Sequence, residues 1–218
     1  MEPIIRVQNG KKVIKDRCLL ENINLDISKG DTVGFVGRNG SGKTVLFKCL
    51  CGFMKLSEGT IWFNGRKFSK GFDMAEDVGV IIENPGFLPE YSGWVNLKLL
   101  AQVKRRIGDK EIREAIETVG LDPNEKKPVK SYSMGMKQRL AIAQAIMEEP
   151  ETLILDEPLN GLDAHGVDQM RELLLNQKKS GRTILLASHI KDDVELLCDR
   201  IYQMDGGRII NHDNPYDK

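Results

Sequence analysis

The sequence predicts an α/β fold, a parallel sheet covered on both faces, and three features carry that prediction. The first is the apolar run 32–36, followed at once by Gly37-Arg38-Asn39-Gly40-Ser41-Gly42-Lys43-Thr44 and then by the apolar-rich run 45–50. In order, these read as a strand, a glycine-rich loop and the first turns of a helix. The second is the C-terminal third, where the apolar runs 152–155, 183–187 and 200–204 alternate with amphipathic segments. Continuous apolar strands separated by helices argue for parallel strands buried on both faces. The third is size, since 218 residues fit one α/β domain with an attached subdomain and can bury a sizeable core.

Taken along the chain, residues 4–8, 23–27, 33–36 and 61–64 read as strands, and Asn64-Gly65 as a turn. From about 91 to 148 the period becomes helical. Val95, Leu99 and Val103 keep helical spacing, as do Ile112, Ile116 and Val119, and then Met136, Leu140, Ala143 and Met147. Breaks fall at Gly108-Asp109, at 120–123 and at Pro128. In the last zone the helices present Val167, Met170 and Leu174, and Ile190, Val194 and Leu197, on one face. The expected organisation is a single domain over 1–218, with a core from 1–84 and 149–218 and a helical subdomain projecting from 85–148.

Composition excludes several classes. Lys+Arg and Asp+Glu both number 32, so the chain lacks the basic balance of a protein that coats nucleic acid, and no nucleic-acid partner is expected. The clusters Lys104-Arg105-Arg106 and Lys126-Lys127 read as solvated faces. Cys18, Cys49, Cys51 and Cys198 form no C-x-x-C pair, which suits reduced cytosolic thiols. The first residues lack the basic and apolar regions of a signal peptide, and no apolar run approaches the ~18 residues needed to span a bilayer. A soluble cytoplasmic chain is the expectation.

The chemistry begins at the loop 37–44, which fits G-x-x-x-x-G-K-[ST] at every fixed position. Glycines there permit positive φ and close backbone approach, so successive amide N–H groups can face phosphate oxygens. The helix that follows adds its positive dipole end. Lys43 then supplies an ammonium to the β/γ phosphates and Thr44 a hydroxyl to Mg2+, so the chain is expected to bind a nucleoside triphosphate. Downstream, Leu153-Ile154-Leu155 ends in Asp156-Glu157, at the strand end where ligands of open α/β sheets sit. Asp156 suits the Mg2+ shell, and Glu157 suits a general base or water-orienting group. His189, one of three histidines, follows another buried-type strand and is expected at the γ-phosphate. Ser133 is a good N-cap for an amphipathic helix whose first amides suit a second phosphate.

Together these motifs closely resemble the ATP-binding subunit of ABC transporters, in order and spacing, from about residue 4 to residue 211. The loop 37–44 matches the family's Walker A, and Ser133-Met134-Gly135-Met136-Lys137-Gln138-Arg139 resembles its signature motif. Residues 153–158 resemble Walker B with the catalytic glutamate, Asn160-Gly161-Leu162-Asp163 the D-loop, and Ser188-His189 the switch histidine. The resemblance implies a P-loop NTPase core with an N-terminal antiparallel β subdomain and an inserted helical subdomain. It implies two cassettes with ATP and Mg2+ sandwiched head to tail, closed by ATP and opened by hydrolysis, on the inner face of the membrane. Each ATP would meet Lys43, Thr44, Asp156, Glu157 and His189 of one cassette and Ser133 and Gly135 of its partner, with Asp163 of the D-loop counted among the nucleotide residues. A separately encoded transmembrane permease would be moved by the pair.

Three positions depart from the family pattern. The signature reads Tyr132-Ser133-Met134-Gly135-Met136 where Leu-Ser-Gly-Gly-Gln is commonest. No aromatic stands where adenine is usually stacked; alignment places Val13 or Ile14 there, so adenine contact through Ile14 and weak base discrimination are expected. Glu83, in Ile81-Ile82-Glu83-Asn84-Pro85, replaces a glutamine that touches Mg2+ and the attacking water. A glutamate there is similar to exporters of lantibiotics or bacitracin, and Glu83 is accordingly a catalytic and metal candidate. The apolar stretch from Phe87 to Trp94 is expected either to line the groove for a transmembrane coupling helix or to pack within the helical zone. Two other readings are a soluble ABC-type ATPase acting on DNA or ribosomes and a P-loop kinase. The interval between the nucleotide motifs lacks the sustained heptads of the DNA-repair branch, ribosome-acting members usually carry two cassettes, and the signature helix argues against a kinase.

Overall fold

The computed structural model describes residues 3–68, 75–83 and 86–211. Two sheets form the frame. β1 (Ile5–Ile14), β2 (Arg17–Ile27), β4 (Glu58–Phe63) and β5 (Arg66–Lys67) make an antiparallel sheet in the order β2-β1-β4-β5. The second sheet has six strands in the order β10-β9-β3-β8-β7-β6. In it β3 (Thr32–Val36), β6 (Val78–Ile81), β7 (Thr152–Asp156), β8 (Thr183–Ala187) and β9 (Arg200–Asp205) run parallel, and β10 (Arg208–Asn211) returns antiparallel on β9. The expected α/β fold with a parallel central sheet and an N-terminal antiparallel sheet is observed.

The continuous apolar strands do what their pattern predicts. All five residues of β7 and all five of β8 are buried, and successive residues enter different cores. Leu153, Leu155, Ile184 and Leu186 face one core, and Ile154, Leu185 and Ala187 the other. Alternation of side chains across a strand requires this split when both faces are covered. The first core also holds Leu97, Ile112, Ile116 and Leu140, from the helices inserted between β6 and β7. The second joins the parallel sheet to the antiparallel one through Ile5, Leu20, Phe35 and Phe47.

The inserted helices are α2 (Gly93–Lys104), α3 (Asp109–Thr118) and α4 (Met134–Ile146). They sit hard against the sheet: a Cβ at Gly79 of β6 would clash with the Ala145 carbonyl of α4. One expected face differs. Leu99 and Val103 of α2 are 42% and 79% exposed, while Asn96, Leu97 and Ala101 turn inward. The reason is Asn96, whose amide donates to the carbonyls of Leu88, Tyr91 and Ser92 and accepts from Leu88 N–H. Buried polar groups must be satisfied, so this loop anchor sets the helix rotation against the apolar spacing. Trp94 is half-buried on the helical core, with Lys98 and Arg113 over its ring, so packing is the role observed for it; Leu88 and Tyr91 are exposed.

The remaining helices are α1 (Lys43–Leu50), α5 (Ala164–Lys179) and α6 (Lys191–Leu197). β1 and β2 are longer than expected because Asn9, with φ 49°, and the register shifts beside it carry the strand through a turn-like sequence. β5, β6 and β10 were not legible as strands; they have two, four and four residues. Asn64 and Gly65 form the expected turn.

Candidate nucleotide site

The glycine-rich loop leaves β3 and enters α1 under close backbone contact. A Cβ at Gly37 would stand 2.3 Å from the Met204 carbonyl oxygen and 2.6 Å from Ser41 Oγ. Gly42 caps α1 in the left-handed region, at φ 107°, where L side chains are strained. The loop therefore wraps the helix N-terminus; the Ser41 N–H closes a turn on the Arg38 carbonyl at 3.1 Å, and the first-turn amides of the helix face the position an anion would take. Lys43 is buried with its ammonium donating to the Gly37 carbonyl at 2.6 Å. The buried Ser41 hydroxyl has no hydrogen-bond partner, a donor left over for a phosphate oxygen.

Across the cleft stand the two acids at the end of β7. Thr44 Oγ1 donates to Asp156 Oδ2 at 2.5 Å. Burial pushes the Asp156 carboxyl above its ordinary value, against the pull of that hydrogen bond and of the Lys43 ammonium. Glu157 lies at φ 50°, a left-handed conformation that costs about 1–3 kcal/mol in a non-glycine residue and persists where surrounding structure enforces it. Its N–H donates to the Ala187 carbonyl at 2.9 Å, while Gln138 Nε2 donates to the Pro158 carbonyl at 2.6 Å. Pinned this way, Glu157 Oε2 lies 2.8 Å from His189 Nδ1. An ionised carboxylate only accepts, so in this contact Nδ1–H is the donor.

His189 is held by a network with no sequence signal. Ser188 Oγ donates to Asp193 Oδ2 at 3.2 Å and accepts from Ile190 N–H at 3.1 Å. Asp193, whose side chain is 1% exposed, takes two hydrogen bonds from Arg171 on α5. An aspartate so buried needs its cation, since removing one partner of a buried pair strands a charge.

The cleft has a volume of about 700 Å³ and is lined by the loop from Asn39 to Thr44, by Asp156 and Glu157, and by Glu83, Asn160 and Arg17, among others. That size suits a small-molecule ligand. Glu83 follows β6, at φ 58°, and pairs with Lys48 of α1 at 2.6 Å. Asn84 and Pro85 lie outside the described residues. The pair is exposed, so it contributes at most ~1 kcal/mol to stability. Its charge, however, faces Asp156 and raises that carboxyl further. Glu83→Gln is therefore expected to keep ATP binding and fold stability while shifting the Mg2+ concentration for half-maximal hydrolysis. A Mg2+ titration of the ATPase rate measures it, and an unchanged midpoint removes Glu83 from the metal site.

The structure thus gathers Gly40, Ser41, Gly42, Lys43, Thr44, Asn39, Glu83, Asp156 and Glu157 in one cleft, with His189 on Glu157; Gly37 and Arg38 carry the carbonyls that hold Lys43. Four candidates lie elsewhere. Ser133 caps α4 through Met136 N–H, Asp163 caps α5 through Gly166 N–H, and Gly135 packs on the Gly161 carbonyl. Ile14 pairs with Arg17 across the β1–β2 hairpin and does not line the cleft. Sequence reasoning passed over Arg171, Asp193 and Arg17, and named Gln138 only as part of the signature run; their roles depend on contacts between distant segments.

The donor set fits Mg2+. Thr44 and Asp156 offer hard oxygens, and among the described residues no cluster of three or more His, Cys, Asp or Glu builds a dedicated cage. Magnesium commonly takes one or two carboxylates and completes its shell with substrate phosphates and water.

The model of the ABC transporter family matches residues 20–160, from the middle of β2 through the acid pair. The chain belongs to the ABC transporter family. An uncharacterised ABC transporter ATP-binding protein, YybJ of Bacillus subtilis (strain 168), is 43% identical over 206 residues, 94% of either chain. The lantibiotic transport ATP-binding protein SrtF of Streptococcus pyogenes is 39% identical, covering 95% of this chain and 89% of its own. The bacitracin transport ATP-binding protein BcrA of Enterococcus faecalis is 38% identical, covering 98% of this chain and 70% of its own. Among solved structures, the ABC cassette cbiO1 of Clostridium perfringens superposes with a TM-score of 0.82 at 31% identity, over 99% of this chain and 90% of that one. The dimeric bacterial ABC transporter cassette MJ0796 shares the fold, with a TM-score of 0.87 at 22% identity over 96% of this chain and 98% of its own. As an ABC ATPase, this chain binds and hydrolyses ATP.

Proposed function

We propose that this ABC subunit powers the export of a peptide antibiotic or a similar amphipathic compound, as one of two cassettes bound to a separately encoded permease at the inner face of the membrane. The observation that carries the catalytic part is the Glu157–His189 contact of 2.8 Å beside Thr44 and Asp156. Relatives named for bacitracin and lantibiotic transport support the cargo class, and favour transport over work on DNA or ribosomes. Among the described residues no helix is long and apolar enough to cross a membrane, so the route itself falls to the permease.

In this reading the amides of Gly40 and of Gly42 to Thr44, with the Lys43 ammonium, hold the phosphates. Glu157 accepts a proton from water as the water oxygen bonds to the γ-phosphorus and the bond from that phosphorus to the β,γ-bridging oxygen breaks, giving ADP and phosphate. The His189 Nδ1–H holds the glutamate in place. Thr44 and Asp156, with Glu83, would hold Mg2+, which would neutralise phosphate charge in the reaction. Ser133 and Gly135 do not line this cleft, which supports a site completed by the signature helix and Asp163 loop of a second cassette. The inserted helices α2, α3 and α4 would be the part that such a partner meets.

The experiment is affinity purification of the tagged chain from solubilised membranes, which should bring a transmembrane protein with it, followed by peptide-antibiotic survival of cells with and without the pair. Copurification with ribosomes or DNA, and no membrane protein, would overturn the transport reading.

A further inference from the structure

The cleft has a definite phosphate end, and the chain shows what stands at the other. β2 is clamped to the phosphate loop: a Cβ at Gly42 would lie 3.2 Å from the Leu19 carbonyl oxygen, and one at Gly207 only 2.5 Å from it. From Leu19 the strand runs back through Cys18 to Arg17, and all three line the cleft. Two residues of strand span about 7 Å, a distance of the order of the ribose that separates a triphosphate from its base. No aromatic side chain is among the described residues lining the cleft. Arg17 is exposed there and, among the described residues, makes no hydrogen bond or ion pair, whereas Arg208 nearby is held by Glu21 at 2.8 Å.

We propose that Arg17 is the base-holding residue of this site, its guanidinium plane lying on the face of the nucleotide base where an aromatic ring is missing. The proposal rests on the nucleotide-binding reading of the cleft and names the residue that reads the base. A guanidinium is planar, weakly hydrated and stacks on π systems, which a lysine ammonium does not reproduce. Every base offers a π face, so such a contact gives affinity with little discrimination. ATP and GTP are therefore held with similar affinity, and the side chain that Ile14 contributes across the hairpin is not needed for it.

The test is calorimetric binding of ATP, GTP and inorganic tripolyphosphate to the full chain and its Arg17 variants. Arg17→Ala and Arg17→Lys weaken ATP and GTP by about tenfold and leave tripolyphosphate unchanged, and Arg17→Tyr restores ATP. Equal loss of ATP and tripolyphosphate in Arg17→Ala, or full rescue by lysine, would make Arg17 a phosphate contact and overturn the proposal. Unchanged ATP affinity in Arg17→Ala would overturn it as well. If the parent chain bound tripolyphosphate but not ATP, the base end would fail while the phosphate end stood. If it bound neither, the nucleotide reading itself would fall. Cys18 provides an independent readout, because its thiol is exposed while burial pushes Cys49 to about 11 and Cys51 and Cys198 to about 12. ATP protects Cys18 from a maleimide and tripolyphosphate does not; equal protection by both would place the base elsewhere.

Discussion

Glu157→Gln is expected to lower ATP hydrolysis by about 10²–10⁴-fold while nucleotide binding survives. The substitution removes the proton acceptor and little else. Glutamine Oε1 can still accept from His189 Nδ1–H, now 2.8 Å from Glu157 Oε2, and the backbone bond to Ala187 is untouched. The same left-handed φ is required of either side chain, so the change adds no backbone strain. With cleavage blocked, bound ATP persists, and a composite site held by two cassettes should then accumulate as a dimer. Size-exclusion chromatography with light scattering in saturating ATP checks it. A monomer under those conditions counts against the sandwich, and a hydrolysis rate within tenfold of the parent removes Glu157 as the base.

The second large effect is at Asp156. Asp156→Asn is expected to abolish Mg2+-dependent hydrolysis, by two orders of magnitude or more, yet to leave the nucleotide-free fold at least as stable as the parent. Burial raises this carboxyl in the folded state above its unfolded value. The folded chain therefore binds the proton more tightly, so falling pH through the interval between the two values stabilises the fold. At neutral pH the ionised, desolvated carboxylate is a net cost. Asparagine removes that cost and still accepts from the Thr44 hydroxyl. Thermal melting of both chains across pH measures it: the variant's advantage should be present at pH 7 and shrink as the pH falls into the acid range. A variant destabilised by more than ~1 kcal/mol at pH 7 would show that Thr44 and Lys43 outweigh desolvation.

Much of this was legible in the sequence, and the limits have physical causes. β3, β7 and β8 are apolar at every or nearly every position because both faces are covered, one by helices and the other by α1 and the antiparallel sheet, and such runs stand out. The phosphate loop and acid pair are local in the chain, so their spacing alone identifies them. What stayed hidden is non-local. The inward turn of Asn96 depends on carbonyls of the preceding loop, and it reverses the face that Leu99 and Val103 suggested. The support of His189 by Ser188, Asp193 and Arg171 joins the end of β8 to two different helices. The positive φ of Glu83 and Glu157 is likewise invisible, because neither residue type favours it; tertiary contacts impose it on both strand ends. At the hairpin, alignment pointed to Ile14, and only the folded cleft brings forward Arg17 across from it.

One last consequence follows from β7, whose residues alternate between two cores. Neither layer can peel away without opening the other along this strand, because Leu153 and Leu155 anchor one and Ile154 its opposite. Backbone amides inside β7 should then exchange with deuterium only through complete unfolding, with the protection of the whole molecule, while the β1–β2 hairpin tip exchanges through local opening. The strand that presents Asp156 and Glu157 to the cleft should thus rank, with β8, among the slowest clocks in the protein, and it would keep the reacting groups in register while the parts around it breathe.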